Sequence, residues 1–286
     1  MIKVGLIGLG YWGSKLQRYL EVNGNFEVIP VNHSDKEISV VMNDESVSAV
    51  VIATPNDTHY ALTKLALEYG KNVMCEKPLA FTTDECETLK NISELYNLKL
   101  TVEYTFTFSR CIQKMVEYTN HPKYISMNVK HLGRFGGGNV YWLLGSHMLS
   151  VLDMIIPLDS LDFSKTDLLK HDGVTETGRI EFGNCFVNGN INLSLNHPYK
   201  NIEIAVYSGD NTVIYNPAEY NPLEFTSYNR IHWNVNIPTE IVSIKLDESN
   251  NLKYSVDHFY NVITGKETSN LERAIRVTKI LESIKV

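Results

Sequence analysis

The sequence predicts an α/β protein in two parts: a doubly wound parallel sheet, followed by an α/β half built on an antiparallel or mixed sheet. Three observations carry that expectation. A glycine-rich turn joins an apolar strand to a helix within the first twenty residues, and short β-branched runs then alternate with helical patterns as far as residue 106. From about Lys123 the alternation gives way to long strand-like stretches divided by brief turn signals. A chain of 286 residues also exceeds the usual single core, which favours two domains.

Taken in order, KVGLIG (3–8) is a short apolar run followed at once by LGYWG, a strand entering a tight turn. SKLQRYLEV then places Leu16, Tyr19 and Leu20 on one helical face. FEVIPV (26–31) reads as a second strand and SAVVIATP (48–55) as a third, apolar enough to be buried on both faces. The segment from Asn32 to Val47 between them holds one abbreviated helix, too little for a comfortable full crossover. THYALTKLALEYG is a helix closed by Gly70, NVMC a strand, TTDECETLKNISELY a helix and LTVEYTF a strand. In the second half KYISMNVKHLG, TGRIEFGNCFVNGNINLSLN, NIEIAVYSG and TVIYN are strand-like, with helices expected at 145–155 and over LERAIRVTKILESI. A boundary near residue 120 divides the chain into 1–120, binding a dinucleotide, and 121–286, binding substrate and mediating assembly.

Composition removes several function classes. Apolar content of 43% and charged content of 21% describe a globular protein, and a net charge of −7 disfavours nucleic acid or an anionic membrane as partner. Cys75, Cys86, Cys111 and Cys185 have neither metal-site nor disulfide-framework spacing, so no metal is expected and reduced thiols in a cytoplasm are the simplest reading. The longest uncharged run, Phe135 to Leu152, is too polar to span a bilayer, and the amino terminus does not read as a signal peptide.

Gly8, Gly10 and Gly13 complete GxGxxG at the first strand-to-helix junction. Such a turn tolerates no Cβ, brings backbone close to a pyrophosphate and presents the free N–H groups of a helix terminus to its charge. A structural glycine turn is the alternative, but the βα setting favours a dinucleotide. EKP (76–78) follows a strand at the carboxyl edge of the sheet, where open α/β folds place ligands. Lys77 is there either as a solvated surface charge or as a donor to a substrate oxygen, with burial and a neighbouring cofactor ring lowering its proton affinity. WLLGSHMLS (142–150) holds His147 in an otherwise uncharged stretch, where a hydrogen-bonded core histidine and a proton-transfer group read alike.

GLIGLGYWG, ATPNDTHY, EKPLA and HLGRF with NVYWLLGSHMLS, in this order, together with DHFYNVITGK and LERAIRV near the C-terminus, resemble the glucose-fructose oxidoreductase, inositol dehydrogenase and MocA (Gfo/Idh/MocA) family. The resemblance covers nearly the whole chain. It implies an N-terminal Rossmann domain, a C-terminal α/β domain whose large, open, mostly antiparallel sheet often mediates dimers or tetramers, and NAD(P)-linked chemistry at a carbon of a sugar or nucleotide sugar. It makes Lys77 and His147 the polar catalytic groups. It puts Gly8, Gly10, Tyr11, Trp12 and Gly13, then Thr54, Pro55, Asn56 and His59, and then Glu76 and Lys77 along the cofactor, and Lys77, Tyr104, Arg134 and His147 along the substrate.

Three departures from the family pattern bear on function. Leu143 stands where the family usually has an aspartate one helical turn before the histidine. Glu103 stands where a small residue is common; if it faced the same cavity it would orient His147 as a substitute carboxylate, and if the strand alternation turned it away, Tyr104 would line the pocket instead. At the end of the second strand, where an acid would bind the ribose of NAD, the chain has His33 and Ser34, with Asp35 and Lys36 next. NADP is therefore expected to be accepted and slightly favoured. The alternatives are a catalytically silent dinucleotide-binding sensor or partner subunit, for which Leu143 argues, and an imine reductase.

Overall fold

The computed structural model describes residues 1–32, 34–132, 138–232, 235–246 and 250–286. The chain divides into two compact units, the first made of residues 1–105 with 250–282, the second of 106–249 with 283–286. The division thus falls at Thr105 and Phe106 where the sequence suggested residue 120, and a C-terminal segment returns to the first unit.

The first unit is a five-stranded parallel sheet. Strands β1 (Ile2–Ile7), β2 (Phe26–Val31), β3 (Ala49–Ile52), β4 (Asn72–Glu76) and β5 (Leu100–Glu103) lie in the order β2-β1-β3-β4-β5. The helices are α1 (Tyr11–Asn23), α2 (Asp35–Asn43), α3 (His59–Glu68) and α4 (Thr83–Leu95). The short segment after β2 proves sufficient for a crossover, since α2 carries the chain past β1 to β3. The geometry explains why. Nine helical residues rise about 13 Å and four extended residues about 13 Å, so a short β3 needs only a short α2.

Two apolar layers flank this sheet. On one face Val50, Ile52, Val73, Cys75, Leu100 and Val102 pack against α2, α3 and α4, joined by Leu271, Ala274 and Ile275 of the C-terminal helix. On the other, Val4, Leu6, Ala49, Val51 and Met74 pack against Leu16 and Leu20 of α1 and against Leu252, Val256 and Phe259. The last three belong to a helix over Asn251–Ile263 that the sequence reading left unassigned, and Phe259 stacks on Phe26 with ring centroids 6.0 Å apart. A sheet that is apolar on both faces requires both covers, and the segment after Asn250 completes each of them. That is the physical reason a single boundary does not describe the chain.

The second unit holds α5 (Arg110–Tyr118), β6 (Tyr124–Leu132), α6 (Ser146–Ile155), β7 (Asp162–His171), β8 (Val174–Gly183), β9 (Asn188–Ser194), β10 (Asn196–Tyr207), β11 (Asn211–Tyr215), β12 (Leu223–His232) and β13 (Val235–Ile244). Its sheet runs β13-β12-β11-β10-β6-β9-β8-β7, antiparallel throughout except for the parallel pair β6–β9. This is the large, open, mostly antiparallel sheet that the resemblance implied. Strand β9 alternates cleanly: Ile191 and Leu193 are buried, while Asn190 and Asn192 join a polar ladder with Asn128 and Arg179. The two helices that follow β13 are α7 (Asn251–Ile263) and α8 (Leu271–Ser283), already met in the first unit.

Candidate active site

The carboxyl edge of the parallel sheet gathers most of the residues singled out above. After β1 the chain turns through Gly8, whose φ of +95° is the left-handed region that favours glycine. A Cβ on Gly8 would lie 2.6 Å from the Ala53 carbonyl oxygen, and one on Gly13 only 1.8 Å from the Gly8 carbonyl oxygen. These two glycines are needed for the turn itself. Gly10 differs, because a Cβ there would meet no protein atom within 4 Å. Gly10 is the N-cap of α1, has no side chain to satisfy the first-turn N–H groups, and the first turn carries no acid. The helix terminus therefore offers unshielded donors to an anion, with room beside them.

Leu9, Tyr11 and Trp12 are exposed around this turn. The rings of Tyr11 and Trp12 meet edge to face at 5.3 Å, and the Lys15 ammonium lies 4.1 Å from the Tyr11 ring centre while donating to the Tyr11 hydroxyl at 2.8 Å. A cation is thus held one helical turn beyond the glycine turn, a feature no motif in the sequence singles out.

After β3, the Thr54 and Thr58 hydroxyls hydrogen-bond at 2.6 Å, and Thr58 donates from its backbone N–H and its hydroxyl to the Pro55 carbonyl. This arrangement fixes the Thr54–Pro55–Asn56 turn. His59 is wholly buried behind it, with Nδ1 2.7 Å from the Pro78 carbonyl oxygen and Nε2 2.9 Å from that of Thr54. Each ring nitrogen thus faces a backbone carbonyl, and the one that carries the proton donates to it. His59 lies between the turn after β3 and the turn after β4.

At the end of β4, Glu76 is buried and Lys77 half-buried, and the Lys77–Pro78 bond is cis. Burial pushes the Lys77 ammonium down to about 8, against the opposing pull of Glu76 and Glu103. Burial and then the neighbouring Glu103 push the Glu76 carboxyl up to about 8, with Lys77 and His59 opposing. Burial likewise raises Glu103, although Thr105 donates to its Oε2 from the backbone at 3.1 Å and from its hydroxyl at 2.7 Å. Glu103 therefore stands in the electrostatic environment of Glu76 and Lys77. Its neighbour Tyr104 is fully buried in the apolar layer on the opposite face, which places that ring in the core where a substrate contact was expected.

At the end of β2, the Ser34 hydroxyl accepts the Glu37 backbone N–H at 3.4 Å and so caps α2. His33 and Arg134, expected at the adenosine end and at the substrate, lie outside the described residues.

In the second unit, His147 sits in the first turn of α6, half-buried, its ring edge to face with Phe106 at 5.2 Å. A π turn over Tyr141–Gly145 leads into α6, and it contains Leu143. Single π turns inside helices are rare and recur at functional sites. A Cβ on Gly145 would lie 3.1 Å from Leu193 Cδ1, so glycine lets this turn approach β9 closely. No periodicity in WLLGSH signals such a turn, which is why the sequence reading passed over it.

Residues 21–104 match the family model described as oxidoreductase family, NAD-binding Rossmann fold (GFO_IDH_MocA). The chain is similar to an uncharacterised oxidoreductase of Streptococcus pneumoniae, 26% identical over 134 residues that make up 42% of this chain and 36% of that protein. It is also similar to scyllo-inositol 2-dehydrogenase (NADP(+)) IolW of Bacillus subtilis, 32% identical over 119 residues, 35% of this chain and 32% of that protein. The chain thus spans about a third of the length of these two relatives. Among solved structures, UDP-N-acetylglucosamine 3-dehydrogenase GnnA from Acidithiobacillus ferrooxidans shares the fold, with a TM-score of 0.83 at 15% identity over 99% of this chain and 96% of that one.

Proposed function

We propose that this chain, a member of the Gfo/Idh/MocA family through its NAD-binding Rossmann fold, is an NAD(P)-dependent dehydrogenase or reductase acting at a hydroxyl- or carbonyl-bearing carbon of a sugar or nucleotide sugar. The observation that carries the reading is the carboxyl edge of the parallel sheet, where an open, uncapped glycine turn and the half-buried Lys77 share one side of the sheet. The substrate class rests on what the relatives act on: scyllo-inositol for the Bacillus protein and UDP-N-acetylglucosamine for the Acidithiobacillus one.

When bound, the dinucleotide supplies a nicotinamide that accepts or gives a hydride. The backbone N–H groups at the start of α1 would hold its pyrophosphate, with Gly10 leaving the space, and the Thr54–Pro55–Asn56 turn would run alongside. Lys77 is the group that would meet the reacting oxygen. With its ammonium brought down to about 8, it holds a proton near neutral pH and can both give and regain it. His147 is the second unit's candidate acid–base group, its ring braced by Phe106.

The test is consumption of NADH and NADPH against a panel of keto-sugars, and of the oxidised forms against sugars and nucleotide sugars. Turnover that disappears in Lys77→Ala while dinucleotide binding persists supports the reading. A second reading, a sensor that binds the dinucleotide without turnover, is favoured by Leu143 in place of a carboxylate. Tight binding with no turnover on any member of the panel would establish it instead.

A further inference from the structure

Glu76 and Glu103 are register partners on the adjacent parallel strands β4 and β5, so their side chains leave the same face of the sheet, the face covered by α1 and α7. Neighbouring strands lie about 4.8 Å apart, so the two glutamates leave the sheet as adjacent side chains. They are the acids that are buried among the described residues, 8% and 1% exposed. Each has one oxygen engaged in the pattern of a carboxylate acceptor: Thr105 donates twice to Glu103 Oε2, the Ser255 hydroxyl also bonds that carboxyl, and the Lys77 backbone N–H bonds that of Glu76. Each also has a buried Oε1 with no hydrogen-bond partner. Two buried carboxylates on register partners are doubly unfavourable, because like charges repel in a poorly solvated site and each carries an oxygen with no donor. One proton removes both problems, since a carboxylic acid on one residue donates to the orphaned oxygen of the other.

We propose that Glu76 and Glu103 share a single proton as an acid–carboxylate pair, and that this pair presents one negative charge, in place of two, to Lys77. Resting on the dehydrogenase reading, Glu103 is then a positioning residue for Lys77. The surrounding titratable groups are Lys77, His59 and the Cys75 thiol, with Thr105 and Ser255 as hydroxyl donors. Lys77 and His59 favour ionisation of Glu76, but burial and Glu103 outweigh them, in keeping with a retained proton. The arrangement depends on Glu103, so it exists only where the strand end carries an acid.

Infrared difference spectroscopy on ligand-free protein labelled with carboxyl-13C glutamate tests the pair directly. Wild type at neutral pH is expected to show an isotope-shifted band of a protonated carboxylic acid, and Glu103→Gln and Glu76→Gln, checked for folding by circular dichroism, are each expected to lose it. Absence of the band in wild type, or its persistence in both variants, overturns the proposal. Should neither variant fold, the wild-type spectrum decides alone. The positioning role is read from the alkaline limb of kcat/KM, which shifts to lower pH in Glu103→Gln, because the second negative charge that would form on the pair and hold the Lys77 proton is gone. An unshifted limb overturns that role. The infrared result requires no turnover, so a protein showing the band but no activity keeps the pair and loses the dehydrogenase reading, and the converse separates equally cleanly.

Discussion

Gly10→Val and Gly13→Ala probe the glycine turn from opposite directions, and the structure assigns them opposite outcomes. Alanine inside a helix ordinarily stabilises by about 1 kcal/mol over glycine. At Gly13 its Cβ would sit 1.8 Å from the Gly8 carbonyl oxygen, where contacts under 3.0 Å are essentially never seen, so the turn must open by at least 1.2 Å, the difference of the two. The obstructing atoms are backbone, and their position is held by the Gly8 N–H to the Val31 carbonyl and by the Ala53 N–H to the Ile7 carbonyl. Overpacking of this kind costs about 1–3 kcal/mol, or a melting temperature lower by roughly 2–12 °C at this chain size. At Gly10 no protein atom lies within 4 Å of the added Cβ, and φ −71°, ψ −162° is a backbone valine adopts freely. Stability should stay within about 0.5 kcal/mol of wild type. The isopropyl group instead fills the space in front of the N–H donors, and dinucleotide affinity should fall at least about 100-fold, about 2.7 kcal/mol. Calorimetry gives the first quantity and titration of NADH the second, with the exposed Trp12 beside the turn as a fluorescent reporter. A folded Gly10→Val protein that binds NADH as wild type does would refute the assignment of this turn to the pyrophosphate, and a Gly13→Ala protein as stable as wild type would refute the packing argument.

Lys77→Ala and His147→Ala should each lower kcat/KM by about 10²–10⁴-fold with NADH affinity changed less than about tenfold, as measured by steady-state kinetics beside binding titrations. With Ser34 capping α2 and no acid at the sequence position of His33, NADP should bind at least as tightly as NAD; an NAD affinity more than about tenfold greater would show that another group does the work of the missing acid. Glu76 also makes stability depend on pH. Its carboxyl lies at about 8 in the folded chain against 4.5 as the ordinary value, so the folded state keeps a proton that the unfolded state releases, and stability drains away as pH rises through that window. Urea unfolding at about pH 5 and about pH 8 should therefore show Glu76→Gln gaining stability relative to wild type at the higher pH, and parallel losses in the two proteins would contradict the shift.

Much of the first sheet is legible in the sequence because its signals are local. FEVIPV coincides with β2 residue for residue, and Gly70 closes α3 with a φ of +74°, as a left-handed cap should. The pieces that escaped are those whose pattern makes sense only against a distant partner. Strands β7, β12 and β13 pair antiparallel at or near the ends of the second sheet, and β7 keeps Leu168 and Leu169 exposed, so no clean alternation marks it. Helix α7 is amphipathic, yet its apolar face is addressed to α1 and β1, more than two hundred residues earlier. A reading that proceeds along the chain sees a helix-forming pattern at most. It cannot see that the parallel sheet still lacks cover on one face.

The candidate site divides in the same way. The glycine turn was legible because its spacing and its strand-to-helix setting are local, and the structure separates Gly8 and Gly13, where a Cβ would run into backbone, from Gly10, where it would meet no protein atom within 4 Å. Glu103 posed a different problem. Alternation along LTVEYTF leaves Glu103 and Tyr104 as alternatives for the side chain that lines the cavity. In the structure neither is open to solvent: alternation sends Tyr104 into the apolar layer and Glu103 to the other face, beside a second buried acid. The missing information was the register between β4 and β5, which no single strand contains. Once Glu76 and Glu103 are paired, the carboxylate absent at Leu143 and the one present at Glu103 need not be two halves of one exchange. The glutamate acts on the lysine that follows its own partner strand, and a gain of turnover on restoring aspartate at position 143 would then be independent of whether residue 103 is glutamate or glutamine. A double-mutant cycle of Leu143→Asp and Glu103→Gln measures that independence as an interaction energy, and a value beyond about 0.5 kcal/mol would show that the two positions are joined after all.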